Sequence, residues 1–398
     1  MADNPHLDEG EKQGIKLIRE ALGDRIPEDL DTDYNLKRWW LGHDRNVTII
    51  EEKMSMYLRN RKLLGFEEPR FMETFYERKD VKQIMQYFHM SRLTEEYVNE
   101  DNALVFVEGG EFDKQVLQTS TTGQYLRVFF ACCELVLQTI LKIEKRTGKP
   151  SYGLCIFDMG KVAITNHINP NGNCNKVFKA RALIWENYYP GMIKHIAIAN
   201  PPMVLSVVWS VAKFLLAEKQ RQLLKFCRNQ EALKEIVGKK LLPVAFGGDL
   251  LDEKYTSRKD CCNERTPITK NDYFVQGSIL KQAGIESLPP SMTISVKANS
   301  KSRILCTPTK TELGYFVGWK FTTSDQIQFS VHSGDALVYP CLRIVTTEVP
   351  EEDFLRAENE TTPYVLEFMN SNRFMAVSVD LILVVSKVTN ITESSQAA

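Results

Sequence analysis

Three polar side chains interrupt the apolar stretch MVLSVVWSVAKFLL (203–216): Ser206, Ser210 and Lys213. At 100° per residue they fall within a wedge of roughly 60° on a helix. Two hydroxyls and one ammonium form a set of hydrogen-bonding groups and a cation suited to binding rather than bond breaking. Around them Val204, Leu205, Val208, Trp209, Val211, Phe214 and Leu215 occupy almost the whole remaining circumference. A helix with one solvated face is not built this way. Two readings stand side by side: a helix buried on both sides with Lys213 reaching the surface, or a helix that covers an apolar cavity and presents the same side chains to a membrane when it opens.

Other chemistry-bearing patterns are missing. The chain has no G-x-S-x-G, H-E-x-x-H, G-x-x-x-x-G-K-[ST] or G-x-G-x-x-G sequence, and Gly109–Gly110 after a strand reads as a turn. The nine cysteines form an odd set with two adjacent pairs and no C-x-x-C, which argues against a disulfide framework and a zinc site. Six histidines stand singly. The expectation is therefore a non-enzyme with no metal and no cofactor. Fifty basic against fifty-one acidic side chains leave a net charge of -1, so no global charge favours nucleic acid. The polar N-terminus lacks a signal-like apolar region and no run reaches the ~18–20 apolar residues of a membrane span, pointing to a cytoplasmic protein whose three N-x-[ST] sequons are chance matches.

The elements that position these residues divide the 398-residue chain into more than one core. Residues 1–75 read as a helical region, with DYNLKRWWLG closing on Gly42 and a following helix starting at Asn46 or Thr48. Residues 76–250 alternate strand and helix: strands at 103–108, 152–159 and 193–200, helices at 124–146, 175–189 and 203–220, and a shorter one in QEALKEIVG. That order predicts parallel βαβ units. Small residues Gly153, Cys155, Ala197 and Ala199 could leave room over the sheet, or mark close helix packing. Residues 251–272, charged and Pro-containing, read as a linker. Residues 273–388 hold about seven strands, at 291–297, 302–308, 315–322, 326–332, 336–348, 362–369 and 375–386, with period-two alternation as in YFVGWKFT, which predicts an all-β sandwich. The tail 389–398 is expected to fray.

Several of these segments resemble a known family. NYYPGMIKHIAIANPP (187–202), the apolar helix after it and LLPVAFGG (241–248) are similar to the CRAL-TRIO lipid-binding and lipid-transfer family, and LKRWWLGHDRNVTIIEEKM (36–54) resembles its helical lead-in. GYFVGWKFTTSDQIQFSVHS (314–333) and TPYVLEFMNSNRFMAVSVDLILVV (362–385) resemble the GOLD domain, a β-sandwich of Golgi-associated proteins. The order of the parts is similar to the supernatant protein factor or tocopherol-associated group. The resemblance implies a hydrophobic lipid ligand, phospholipid or isoprenoid-like, held under a mobile gate helix at 203–216, with Ser206, Ser210 and Lys213 toward the lipid. It also implies transient contact with a membrane surface, Golgi included, and a protein partner through GOLD.

Some positions depart from that pattern. The basic pair expected after the first lead-in helix is replaced by Leu41-Gly42-His43-Asp44-Arg45, the acid expected after Tyr-Pro to face Lys213 is Gly191, and the closing-motif Glu is Ala245. Phosphatidylinositol is thus one candidate among several. The leading reading is binding and transfer or presentation of one enclosed lipid; the alternative is a GOLD-centred trafficking adaptor with a lipid-sensing domain.

Overall fold

The N-terminal helices start where a side chain can cap them. Asp8 caps α1 (Glu9–Leu22) in a reciprocal capping box with Glu11, Thr32 caps α2 (Asp33–Gly42), and Asn46 caps α3 (Val47–Leu63). Of the two starts open for α3, Asn46 is the one used: its side chain accepts the Ile49 N–H. Short α4 (Phe71–Thr74) and α5 (Lys79–Met85) follow. The structure, a computed structural model, describes residues 6–112, 114–169, 171–202, 209 and 218–395. Among the described residues no helix is long and apolar enough to cross a membrane.

Next comes the α/β unit. β1 (Ala103–Gly109), α6 (Thr122–Thr147), β2 (Tyr152–Asp158), α7 (Asn173–Tyr188) and β3 (Ile193–Ala199) alternate as expected, and the strands are parallel and adjacent in chain order. A three-residue β4 (Leu224–Phe226) extends the sheet beyond β3. It had no signature, since three residues are too few to show alternation. Alternate residues face opposite sides of the sheet. Val105, Leu154, Ile156, Ala197 and Ala199 pack with Leu233 and Phe246, whereas Phe106, Cys155, Ile196 and Ile198 face a cavity. Of the two readings of Ala197 and Ala199, close packing is the one found: the helix Gln230–Val237 and the LLPVAFGG turn cover them. Over Gly153 the room is taken by Ile193, whose Cδ1 lies 2.5 Å from where a Cβ would stand. Cys155 alone of the four small residues opens into the cavity.

Two antiparallel sheets form the C-terminal unit. One runs β10 (Ala336–Ile344), β9 (Ile327–Ser333), β12 (Tyr364–Asn370), β6 (Ser300–Thr307), β14 (Lys387–Ser395); the other runs β11 (Glu351–Ala357), β8 (Gly314–Thr323), β13 (Val377–Val384), β5 (Met292–Val296), with β7 (Thr309–Thr311) beside β8. Their facing aromatics share a core: Trp319 and Phe321 of β8 meet Phe329 of β9 at 5.4 and 5.0 Å between ring centres. The alternating strands of the sequence are all present. The tail expected to fray instead continues as β14 to Ser395, an exposed edge strand held to β6 by its backbone and so lacking an apolar pattern. The stretch 251–272 is likewise no free linker: Cys261 and Cys262 are buried, Asn263 N–H donates to Met90 O at 3.0 Å and Thr266 N–H to Gln86 O at 2.8 Å. Some of its charges pair with distant partners, Lys254 with Glu96 and Asp260 with His89, which the sequence could not show.

β10 and β11 both meet the helices of the preceding unit: Cys341 N–H of β10 donates to Asn60 Oδ1 of α3 at 2.9 Å, and β11 reaches α6. β11 is the strand whose charges do so. It carries two consecutive fully buried carboxylates, aimed to opposite sides by the pleat. Glu352 accepts the N–H groups of Gly277, Ile279 and Leu280 at 2.6, 2.9 and 3.2 Å, capping a short turn of helix. Glu351 crosses to α6: it accepts Gly123 N–H at 2.8 Å and the Thr121 hydroxyl at 3.2 Å, at the positive end of a 26-residue helix. Beside it Arg127 pairs with Asp353 at 2.8 Å and Thr122 Oγ1 donates to Val345 O at 2.5 Å. A Cβ on Gly123 would stand 2.1 Å from Glu351 Oε1, so no other residue admits this carboxylate. Gly123→Ala should cost roughly 1–3 kcal/mol by overpacking, read as a shift of the urea midpoint.

Burial pushes the Glu351 carboxyl up to about 7, against the pull of Arg127 and the Gly123 N–H. Folding then takes up a proton between about pH 4.5, where the unfolded carboxyl titrates, and about pH 7. The stabilisation is fully present below the lower value and is lost as pH rises through the upper one. The thermal midpoint of the wild type should fall from pH 5 to pH 8 relative to Glu351→Gln; a pH-independent difference would show that ionised Glu351 carries no burial penalty.

Candidate functional site

α6 sets the wall of the cavity, and its own position is fixed by a buried carboxylate. Glu134, fully buried at mid-helix, accepts the Tyr57 hydroxyl at 2.7 Å, the Tyr189 hydroxyl at 2.9 Å and Arg61 Nε at 3.0 Å. Burial, and then the Glu134 charge, hold both phenols well above their usual range, so they remain donors. The lead-in helix α3 and the Tyr-Pro corner are thereby tied to α6. A second tie, between Arg38 of α2 and Glu144, fixes the far end of the helix.

Gly191, where an acid was expected to face Lys213, closes that Tyr-Pro corner. Its φ is +64°, in the left-handed region that favours glycine, and a Cβ there would lie 3.5 Å from Arg38. A glutamate at this position would be strained whatever ligand is bound.

Between the sheet, α6 and α7 lies a partly open cavity of about 200 Å³. Its walls are almost entirely apolar: Phe106, Phe157, Ile196 and Ile198 from the sheet, Phe129 and Val136 from α6, Phe178 and Trp185 from α7, and Phe226 of β4. Three thiols, Cys132, Cys133 and Cys155, complete them. Among the described lining residues only Glu108 and Arg181 are charged, and they pair with each other. The Arg181 guanidinium lies over the Phe129 ring at 4.4 Å and near Phe178 at 5.6 Å, and it also bonds the Tyr125 hydroxyl. The arrangement can enclose an apolar molecule; among its described residues it holds no nucleophile–base pair.

Of the residues singled out in the sequence, Trp209 is half-buried, lines the cavity and meets Phe226 edge-on at 5.1 Å. Ser206, Ser210, Lys213, Val204, Leu205, Val208, Val211, Phe214 and Leu215 lie outside the described residues. Sequence reasoning missed Glu108 and Arg181, which stand 73 positions apart on a strand end and a helix. The one available signal was an acid ending an apolar strand run.

A second cluster lies outside the cavity. His89, Asp260 and Cys262 place possible ligand atoms within 4.8 Å of one another. Asp260 is, however, already engaged by Arg258 Nη2 at 2.7 Å, by His89 Nε2 at 3.0 Å and by the Cys262 N–H at 3.1 Å. It reads as an internal ion-pair network that pins residues 258–262 to the α/β unit.

Burial raises the Cys132 thiol to about 12 and carries Cys133 and Cys155 well above their usual value. All three stay protonated and shielded at pH 8. Ellman's reagent should label none of them within minutes in the native chain and all of them after denaturation; rapid native labelling would show that the cavity admits a water-borne reagent.

Residues 95–248 match the family model of the CRAL/TRIO domain. The chain is 28% identical over 373 residues to a CRAL-TRIO domain-containing protein of Caenorhabditis elegans, covering 92% of both chains. A second such protein of that organism is 24% identical over 266 residues, 65% of this chain and 62% of the relative. A crystal structure of Sfh5 aligns with a TM-score of 0.42 at 15% identity, over 70% of this chain and 99% of that one. The segment that matches the CRAL/TRIO model is set here between a helical lead-in and an antiparallel β unit.

Proposed function

We propose that this chain encloses one hydrophobic lipid in the cavity over the β1–β4 sheet and transfers or presents it at a membrane surface. CRAL-TRIO proteins generally bind or transfer lipids, and the observation that carries the reading here is the apolar cavity inside the matched segment. Each buried CH₂ gains about 0.8 kcal/mol, so a twelve-carbon chain gains on the order of 10 kcal/mol before ordering costs. In this reading residues 76–250 hold the lipid beneath a gate formed by 203–216, Ser206, Ser210 and Lys213 face the polar end, and 273–388 is a GOLD-type sandwich. Trp209 against Phe226 supports the placement of the gate over the cavity. An apolar gate opens where another apolar medium receives it, which couples release to membrane contact. The left-handed backbone at Gly191 and the missing basic pair weigh against phosphatidylinositol as the principal cargo.

Organic extraction and mass spectrometry of the purified full-length protein test this, beside Ala182→Trp, which fills the cavity, and Val208→Asp/Phe214→Asp, which charges the gate. After all three are shown to be folded, the wild type should carry about one lipid per chain and the variants little. A wild type that neither retains lipid nor takes it from liposomes would sink the reading.

A further inference from the structure

The cavity contains a feature that enclosing a hydrocarbon does not require. Glu108 ends β1, Arg181 sits in mid-α7, and the two are ion-paired inside an apolar chamber. Arg181 is surrounded by protein, yet 16% of its side chain and 22% of that of Glu108 stay accessible. Both side chains line the cavity, so part of this surface faces it.

The guanidinium has five N–H donors; Glu108 and the Tyr125 hydroxyl engage some of them, and its face is stacked on Phe129. The carboxylate can accept more hydrogen bonds than this one partner supplies. We propose that the Glu108–Arg181 pair is a polar recognition point in the described wall of the cavity, separate from the gate residues, and selects an uncharged lipid bearing a hydroxyl group. This inference rests on the lipid-carrier reading above.

The choice of ligand class follows from charge and hydrogen-bonding capacity. The pair sums to zero, so a carboxylate or phosphate brought to it would lose its hydration, meet Glu108 as a like charge and leave the chamber with a net charge. A pure hydrocarbon would cover the pair and satisfy neither member. A hydroxyl donates to the Glu108 carboxylate and accepts from Arg181, complementing both at once. The remaining described walls supply no competing charge.

Displacement of bound diphenylhexatriene from the full-length protein tests the proposal, with dodecan-1-ol, dodecane and dodecanoate as competitors. The reference is Glu108→Leu/Arg181→Leu, which makes the chamber apolar throughout and cancels the different hydration of the three ligands. The alcohol-to-alkane affinity ratio should be about tenfold higher in the wild type than in this double variant, the usual worth of one buried hydrogen bond. Glu108→Gln, which keeps the shape and leaves the Arg181 charge unbalanced, should raise dodecanoate affinity several-fold relative to the alcohol and serves if the double variant does not fold. An unchanged alcohol-to-alkane ratio, or dodecanoate as the tightest wild-type ligand, would overturn the proposal while leaving the carrier reading in place. Failure of the probe and all three competitors to bind would remove both.

Discussion

The architecture depends on one buried carboxylate, Glu134. A carboxyl group at zero exposure is tolerated only when its oxygens are hydrogen-bonded, and here two phenols, a guanidinium and the Gln138 amide at 3.0 Å do so. Those donors come from α3, from α6 itself and from the Tyr-Pro corner before β3. Removing Arg61, the one charged donor among them, would break the buried pair at a cost of about 3–5 kcal/mol. The lead-in helices are therefore part of the α/β fold rather than an appendage, and the inner wall of the cavity is held from outside the domain that matches the family model.

The same logic repeats along α6. Its first turn meets Glu351, its middle carries Glu134 and its last turn binds Arg38 through Glu144. Between these fixed points the helix turns Phe129, Cys132, Cys133 and Val136 toward the cavity. Charged groups set the position of the helix and apolar ones define the empty space. A chamber of this kind stays open only because its walls are supported elsewhere, since unsupported apolar walls would collapse together.

Much of this was legible in the residues. Asn46, one of the two starts read for its helix, caps it through Ile49, and the alternation of YFVGWKFT places Trp319 in a sandwich core; the Thr121–Gln124 cap of α6, though equally local, was missed. What escaped was whatever depends on long-range partners. Glu351 and Glu352 look like a solvated charge run, and only the folded chain brings helix N–H groups to both. β14 lacks a pattern because an edge strand can be held by its backbone alone. The small residues of β3 left two readings open, space or close packing, because strand periodicity separates two faces without naming which one is hollow; packing is what they serve. Arg181 looked like one charge on an amphipathic helix until Glu108 stood opposite it.

Because α6 is at once a cavity wall and, with α3, a helix on which the β unit is seated, the two ends of the molecule share a mechanical element. A cargo that bound more tightly to one setting of α6 would shift the seating of the sandwich by the coupling free energy between them, and the sandwich would bias cargo affinity by that same amount. The reciprocity needs no hinge and no separate signal. It follows from a helix whose N–H groups end at Glu351 and whose side chains touch the chamber two turns later.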